Sequence, residues 1–316
     1  MRRVVTIFLL LCATTHCVLS IFFVNLSYLD LGRYADGLER QPFQRRLLMV
    51  PFLHWAQSCA WLQHAAARFT LHLPQYEPMS AAKLACLLLG VLLLNALGLW
   101  TLRAAGRLGL RHDWLIWALL LVILYASYAA RFEQALWYPY DLPHLVVFGA
   151  ATLCVLLDEP LAFLACFAVD CALRETSVFL LPLALLLHMR STTWRVVTAA
   201  GLVLWGASQW FGHHLYPLGA HQFNAVPWYR MAAPWHWPQL FSIVGFLWIP
   251  VWMARSHLSQ TQRLALYAAS AMMLLTFWFA TWNESRAWSE WSVLFAALAA
   301  LELEAGFARN RLAEAA

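Results

Sequence analysis

Two aspartates and two neighbouring arginines open the first polar segment of this chain. Asp30 and Asp36 lie a short distance beyond an apolar run, and Arg45 and Arg46 follow in the same segment. A carboxylate that is partly removed from water beside lipid can act as a general base. An arginine in the same setting suits the phosphate of an anionic lipid, because its planar side chain is always charged. The sequence therefore predicts proton abstraction and phosphate binding at one polar surface.

Residues of the same types recur in later polar segments, which interrupt long apolar runs. We expect them to converge with the first segment on one face of the protein and to bind substrate there. They are Tyr140, Asp141, Arg174, Glu175, Glu284, Arg286 and Glu290.

The composition shows what kind of scaffold must position these residues. The 316 residues are 62% hydrophobic and 12% charged, with a mean hydropathy of +0.61, which is outside the range of a water-soluble globule. The sequence predicts a polytopic membrane protein without a large soluble domain or nucleotide-binding fold, and without a nucleic-acid partner. Of the 21 basic residues only Lys83 is a lysine. This arginine bias fits phosphate binding, and a GC-rich genome would also produce it.

The apolar runs predict an all-α bundle of about ten membrane helices, since a span needs about 20 apolar residues. Arg2 and Arg3 precede the first run, which indicates a signal anchor with a cytoplasmic N-terminus. We treat 1–316 as one integral membrane domain. The expected spans are 4–24, 82–102, 114–130, 142–157, 160–173, 176–189, 196–212, 239–254, 264–281 and 287–305.

Arginines in the short connections predict the orientation. They fall on the side of the N-terminus, at Arg103, Arg107, Arg111, Arg190, Arg195, Arg255, Arg263, Arg309 and Arg311. By the positive-inside rule both termini are cytoplasmic, in a bacterial inner membrane, and the candidate site faces the extracytoplasmic side. Residues 25–81 then form the first outer loop. Within it, 47–70 has a polar helical stripe and is interpreted as interfacial helix, because a crossing there would move Arg103 outside.

Arg174 and Glu175 interrupt an otherwise mostly apolar stretch at 160–189. A charge at the centre of a spanning helix costs about 2.5–3.5 kcal/mol or more. We therefore expect two short helices that meet at the outer face, with both charged residues at the turn. An ion pair that only steadies the bend is the alternative.

No metal or other cofactor is predicted, although the sequence leaves open whether the protein binds a divalent metal. The seven cysteines mostly lie in apolar stretches and lack CxxC spacing. Four histidines share one outer loop without ligand spacing, at His213, His214, His221 and His236.

The arrangement resembles the GT-C class of membrane glycosyltransferases. A first membrane helix is followed by an outer loop with an aspartate near the membrane, here in Asp30-x-x-x-Tyr34-Ala35-Asp36, and then by about nine further spans. The resemblance implies transfer of a sugar from a polyprenyl-phosphate-linked donor, dissolved in membrane lipid, to a glycan or lipid acceptor. Asp30 or Asp36 would be the base, with Asp30 favoured because Arg40 at i+4 can pair with Asp36.

The resemblance also implies roles for the other residues. Arg45, Arg46, Arg174 and Arg286 would stabilise the departing phosphate. The sugar and the arginines would be oriented by Tyr140, Asp141, Glu175, Glu284 and Glu290. Two other functions remain open: a non-catalytic flippase or export partner for lipid-linked saccharides, which needs no outer carboxylate, and a polysaccharide polymerase, which does.

Overall fold

The computed structural model describes residues 2–39, 43–72, 78–129, 136–216, 237–276 and 285–314, and these are mostly helical. The α-helices are α1 (Arg2–Val24), α2 (Leu31–Ala35), α3 (Met49–Ser58), α4 (Ala60–His72), α5 (Ala81–Arg107), α6 (Leu115–Leu124), α7 (Asp141–Leu156), α8 (Pro160–Cys171), α9 (Leu180–His188), α10 (Thr192–Leu215), α11 (Trp237–Phe241), α12 (Trp248–Met253), α13 (Gln260–Thr276) and α14 (Ser292–Glu314). Short 3-10 helices cover Phe43–Arg45, Glu175–Phe179, Ile243–Phe246, Arg255–His257 and Ser285–Trp291, and a π-helix, Tyr125–Ala129, continues α6. The predicted all-α class is confirmed.

Two of the described helices are long and apolar enough to cross a membrane. They are Arg3–Val24 and Ala81–Arg107, which match the first two expected spans. Shorter apolar helices lie at Leu115–Ala129, Asp141–Leu156, Pro160–Cys171 and Glu175–His188. The structure thus supports membrane character through two helices, and the number of crossings stays a prediction.

Helix α7 occupies the centre of the bundle and packs on α5, α8 and α14. Its buried Phe148 makes an edge-to-face contact with Trp291, with ring centroids 5.0 Å apart. Beside it, the fully buried Trp117 of α6 donates from Nε1 to Thr14 Oγ1 of α1 at 2.9 Å and rests on Gly98 of α5. Large aromatic side chains therefore fix how α1, α5, α6 and α7 pack.

Polar contacts group the helix ends into two sets. The end that carries the N-terminus includes the pairs Arg3–Asp113 (2.8 Å), Arg107–Glu159 and His112–Glu304 (2.7 Å). At the other end, the two-residue strands β1 (Leu26–Ser27) and β2 (Leu136–Trp137) pair in parallel. The polar contacts of the described residues thus lie at two ends of the bundle, and the membrane topology stays a prediction.

The stretch 160–189 is broken where its two charged residues stand. Helix α8 ends at Cys171, Arg174 is extended, the 3-10 helix Glu175–Phe179 follows, and α9 begins at Leu180. The Leu48 amide donates to the Ala172 carbonyl at 3.0 Å, so the first polar loop packs on this break. The prediction of two helices with Arg174 and Glu175 at their junction is confirmed.

The prediction of one uninterrupted helix over 239–254 is wrong. Left-handed backbone at Val244 (φ 44°), Gly245 (φ 63°) and Phe246 (φ 62°) separates α11 from α12. A Cβ on Gly245 would lie 2.9 Å from Ile123 Cα, so the two backbones approach closely at this point. The predicted helical segment 47–70 forms two helices, α3 and α4, with a break at Cys59, and its position at the membrane interface stays a prediction.

We expect Gly98→Ala to destabilise the bundle by about 1–3 kcal/mol, the usual cost of overpacking. The new methyl would clash with the ring of Trp117, which is buried between α5 and α6. Gly106→Ala on the same helix is the matched control, because nothing lies within 4 Å of its added Cβ. Thermal unfolding of the purified protein in detergent should show a lower midpoint for the first variant only. Equal midpoints would contradict the packing described here.

Candidate functional site

Asp30 caps the short helix α2. Its Oδ1 accepts hydrogen bonds from the amides of Gly32 (2.9 Å) and Arg33 (3.2 Å), and its side chain is exposed. Aspartate is a favoured N-cap because its oxygen satisfies amides that lack partners within the helix. The residue that the sequence favours as base therefore also has a local structural role.

An open pocket of about 480 Å³ adjoins this cap. Its polar lining residues come from the first outer loop and the start of α5: Ser27, Asp30, Gln57, Gln63, Ser80 and Lys83. Together they offer a carboxylate, an ammonium group, two amides and two hydroxyls, which is a mixed set of hydrogen-bond donors and acceptors. Such a lining suits a small polar group with several hydroxyls.

Arg46 and Glu175 form a bidentate ion pair between the first polar loop and the break. Arg46 Nη2 lies 2.7 Å from Glu175 Oε1, and Arg46 Nε lies 3.1 Å from Oε2. The guanidinium carbon also lies 4.2 Å from the ring centroid of Tyr140. The Arg46 side chain is 8% exposed and that of Glu175 is 41% exposed.

This pairing shifts the pKa values of both groups. Burial favours the neutral carboxyl of Glu175, but the charge and hydrogen bonds of Arg46 outweigh it and lower its pKa to about 2. Burial also disfavours the charged guanidinium, but Glu175 and Tyr140 raise the pKa of Arg46 above its ordinary value. Both groups are therefore ionised throughout the physiological pH range.

Tyr34 ties helix α2 to this ion pair. Its buried hydroxyl donates to the backbone carbonyl of Arg46, and its ring centroid lies 6.5 Å from that of Tyr140. Gln44 Nε2 donates to the Tyr34 carbonyl at 3.1 Å. Burial raises the pKa of Tyr34, so the hydroxyl stays neutral and keeps its proton for this bond.

Two further arginines at this end carry buried guanidinium nitrogens. In the described part of the chain, Nε of Arg45 and Nε of Arg174 have no hydrogen-bond partner. The charge of Arg174 acts on both Asp170 and Glu175. A buried donor without a partner is costly, so each of these two nitrogens favours an anionic partner.

Beneath the break lies a buried cluster centred on His144. Its Nδ1 lies 2.7 Å from Asp170 Oδ1 and its Nε2 lies 3.0 Å from Glu290 Oε2. The Thr176 hydroxyl donates to the same Glu290 oxygen at 2.7 Å. His144, Asp170 and Glu290 are each at most 1% exposed. Consecutive residues of the break thus contact both sites, Glu175 the ion pair and Thr176 the cluster.

The structure brings some of the predicted residues together. Arg46, Tyr140 and Glu175 are in contact, and Arg174 and Glu290 lie beside them through the contacts above. Asp141 is buried in the first turn of α7, and its Oδ2 accepts from the Tyr138 amide at 3.0 Å.

The remaining predicted residues take other positions or are described only in part. Asp36 is exposed at the C-terminal end of α2. Arg45 directly precedes Arg46, and its backbone carbonyl packs against Gly212 of α10. Arg286 lies in the 3-10 helix Ser285–Trp291, where only its backbone is described, and Glu284 lies outside the described residues.

Sequence reasoning missed His144 and Asp170 as site residues. Asp170 stands out as an ionisable residue inside an expected span, and His144 lies one helical turn after Asp141 in another span. A charged or titratable residue within an apolar run is itself a functional signal. Among the described residues, no group of three metal-ligating side chains is arranged to hold a metal ion.

Comparison with protein families, with curated proteins and with solved structures finds no match to this chain. The geometry of these residues is therefore the basis on which a function can be proposed.

We expect the Arg46–Glu175 pair to stabilise the protein above pH 4.5 and to lose its effect as the pH falls toward 2. The sign follows because the pKa of Glu175 drops on folding from 4.5 to about 2, so the unfolded chain binds the proton more readily. The thermal midpoints of wild type and Glu175→Gln should differ at pH 7, and the difference should shrink steadily as the pH falls from 4.5 toward 2. A difference that does not change with pH would show that the charge of Glu175 contributes nothing.

Proposed function

We propose that this protein is an integral membrane glycosyltransferase that moves a sugar from a polyprenyl-phosphate-linked donor to an extracytoplasmic glycan or lipid. One observation carries the proposal. Arginines and carboxylates from the first polar loop, α7, the break after α8 and the segment before α14 meet at one end of a helical bundle with membrane-length helices. Buried charges of both signs at one end of an apolar bundle are typical of a site for a charged, lipid-soluble substrate.

The proposal includes the placement in the membrane. The chain would cross a bacterial inner membrane about ten times, with both termini cytoplasmic and the site outside. Support comes from the length of α1 and α5 and from the separation of polar contacts into two ends.

The donor phosphate would bind at Arg174 and Arg45. Their Nε atoms are buried without partners in the described structure, whereas Nε and Nη2 of Arg46 pair with Glu175. Arg46 therefore acts as a positioning residue that holds the break on the first polar loop. Fixed positive charge next to the departing phosphate oxygen stabilises the transition state.

The acceptor hydroxyl would be activated in the pocket beside Asp30. Oδ1 makes both capping bonds, so Oδ2 is the oxygen that would take the proton. The hydroxyl oxygen would then attack the anomeric carbon, and the carbon–oxygen bond to polyprenyl phosphate would break with the electron pair leaving on phosphate. Gln57, Gln63 and Lys83 supply hydrogen bonds for sugar hydroxyls within the same pocket.

Handling of a lipid-linked saccharide without catalysis is the second candidate. The observation that favours it is that Asp30 caps α2 and Arg46 is neutralised by Glu175, so both residues have structural roles. A polysaccharide polymerase would use the same carboxylate and phosphate chemistry, and product analysis separates it from a transferase.

We expect Asp30→Asn to lower sugar transfer by about 10²- to 10⁴-fold, the usual effect of removing a general base. Asparagine caps helices as well as aspartate does, so the fold of α2 is preserved while the base is lost. The assay uses purified protein in lipid nanodiscs, a panel of polyprenyl-phosphate monosaccharides and a cell-envelope glycan extract. Mass spectrometry measures release of polyprenyl phosphate.

Asp36→Asn is the matched control at the other end of α2. Asp30→Ala removes the helix cap together with the carboxylate, so comparison with Asp30→Asn shows the contribution of the cap. If both Asp→Asn variants transfer sugar at the wild-type rate, the transferase mechanism is wrong. The non-catalytic function then becomes the better explanation, provided that the wild-type protein binds polyprenyl phosphate.

The orientation has its own test in single cysteines placed at exposed positions after the seven native cysteines are replaced. Asp36→Cys should react with a membrane-impermeant maleimide from outside intact spheroplasts, because it lies in the proposed outer loop. Arg190→Cys, between α9 and α10, should react only after the membrane is permeabilised. The reverse pattern would place the site in the cytoplasm and exclude the proposed donor orientation.

A further inference from the structure

The hydrogen bonds of His144 fix the number of protons that its cluster must hold. Both ring nitrogens face a carboxylate oxygen, Asp170 Oδ1 at 2.7 Å and Glu290 Oε2 at 3.0 Å. Each contact needs one proton between its two heavy atoms, because a bare nitrogen and a carboxylate oxygen repel each other. Two contacts require two protons, shared among three titratable groups.

Two distributions of these protons have the same net charge. The ring can be an imidazolium between two carboxylates, or a neutral ring can donate to one carboxylate and accept from one carboxylic acid. Both give the cluster a charge of −1. Titration therefore belongs to the cluster as a whole and not to any single member.

The cluster also has room for a third proton. Asp170 Oδ2 and Glu290 Oε1 are buried, and neither has a hydrogen-bond partner among the described residues. A proton on either oxygen would make a carboxylic acid and bring the net charge of the cluster to zero, while both bonds to His144 remain. Unpartnered carboxylate oxygens in a buried site are the positions where a proton is most readily taken up.

The groups around the cluster set its electrostatic surroundings. His144 belongs to α7, Asp170 to α8 and Glu290 to the segment before α14, while the charge of Arg174 acts on Asp170 from the break. Two titratable thiols of α8, Cys166 and Cys171, also lie within electrostatic reach of Asp170. Glu175, next to Thr176, is already neutralised by Arg46.

We propose that His144, Asp170 and Glu290 form a buried proton-binding site that takes up and releases one proton as a unit. The half-buried Thr176, which donates to Glu290 and follows Glu175 directly, lies between the cluster and the polar surface at the break. A proton can therefore enter from that side. Proton binding does not depend on the proposed function.

The test measures proton uptake by purified full-length protein in lipid nanodiscs. Potentiometric titration from pH 9 to pH 5 gives the proton uptake of wild type, Asp170→Asn, Glu290→Gln and Asp113→Asn. We expect the uptake curves of both cluster variants to differ from that of wild type, because each removes one titratable carboxyl of the coupled group. Asp113→Asn is the control and should follow the wild-type curve, because Asp113 pairs with Arg3 at the opposite end of the bundle.

Thr176→Val provides a milder variant that removes only a hydroxyl. Thr176 donates to an ionised oxygen, so its loss favours the protonated cluster, and the midpoint of proton uptake should move to higher pH with the count unchanged. Identical titration curves for wild type, Asp170→Asn, Glu290→Gln and Thr176→Val would overturn the proposal, and the cluster would then be a fixed structural network. Transfer assays at a single pH report separately on the glycosyltransferase proposal.

Discussion

The need to pair charge in a poorly hydrated bundle is the constraint on which the rest of this structure depends. Arg46 is almost fully buried, and an unpaired charge there would cost several kcal/mol. Glu175 can pair with Arg46 because the chain breaks between α8 and α9, which turns the Glu175 carboxylate toward the first polar loop. Trp205 of α10 donates to the Glu175 carbonyl at 2.9 Å, so the break is held from both sides. One ion pair thereby joins the first polar loop, α8, α9 and α10.

This pairing also divides the arginines by role. Because Arg46 pairs with Glu175 and lies against the ring of Tyr140, it organises the site and contributes little net charge to an incoming anion. Arg174 and Arg45 keep buried nitrogens without partners in the described structure. A phosphate there would satisfy donors that are costly to leave unpaired, which favours binding without rearrangement of the ion pair.

The sequence predicts the parts of this fold that follow from local composition. The run before Val24 and the charges at Arg174 and Glu175 specify a long helix and a break because apolar length and buried charge act locally. Local composition does not predict the interruption at Gly245, because it depends on close approach to Ile123, which is distant in the chain. Pattern-based prediction therefore finds candidate residues better than it finds where an apolar stretch bends.

The partners of the buried groups could not be predicted for the same reason. His144 contacts carboxylates 26 and 146 positions later, and no spacing rule relates residues on three separate helical segments.

The base and the buried cluster stand at opposite ends of one series of contacts. Asp30 caps α2, Tyr34 at the far end of α2 binds the Arg46 carbonyl, and Arg46 holds Glu175, whose neighbour Thr176 donates to Glu290. Each contact is made by a short or closely packed side chain. The series therefore holds these residues in position and does not by itself switch between two states. A substrate that reached both the Asp30 pocket and Nε of Arg174, which has no partner among the described residues, would need a polar head and an anionic group. A sugar on polyprenyl phosphate carries both groups, and this is the physical reason that the proposed donor is a lipid-linked sugar.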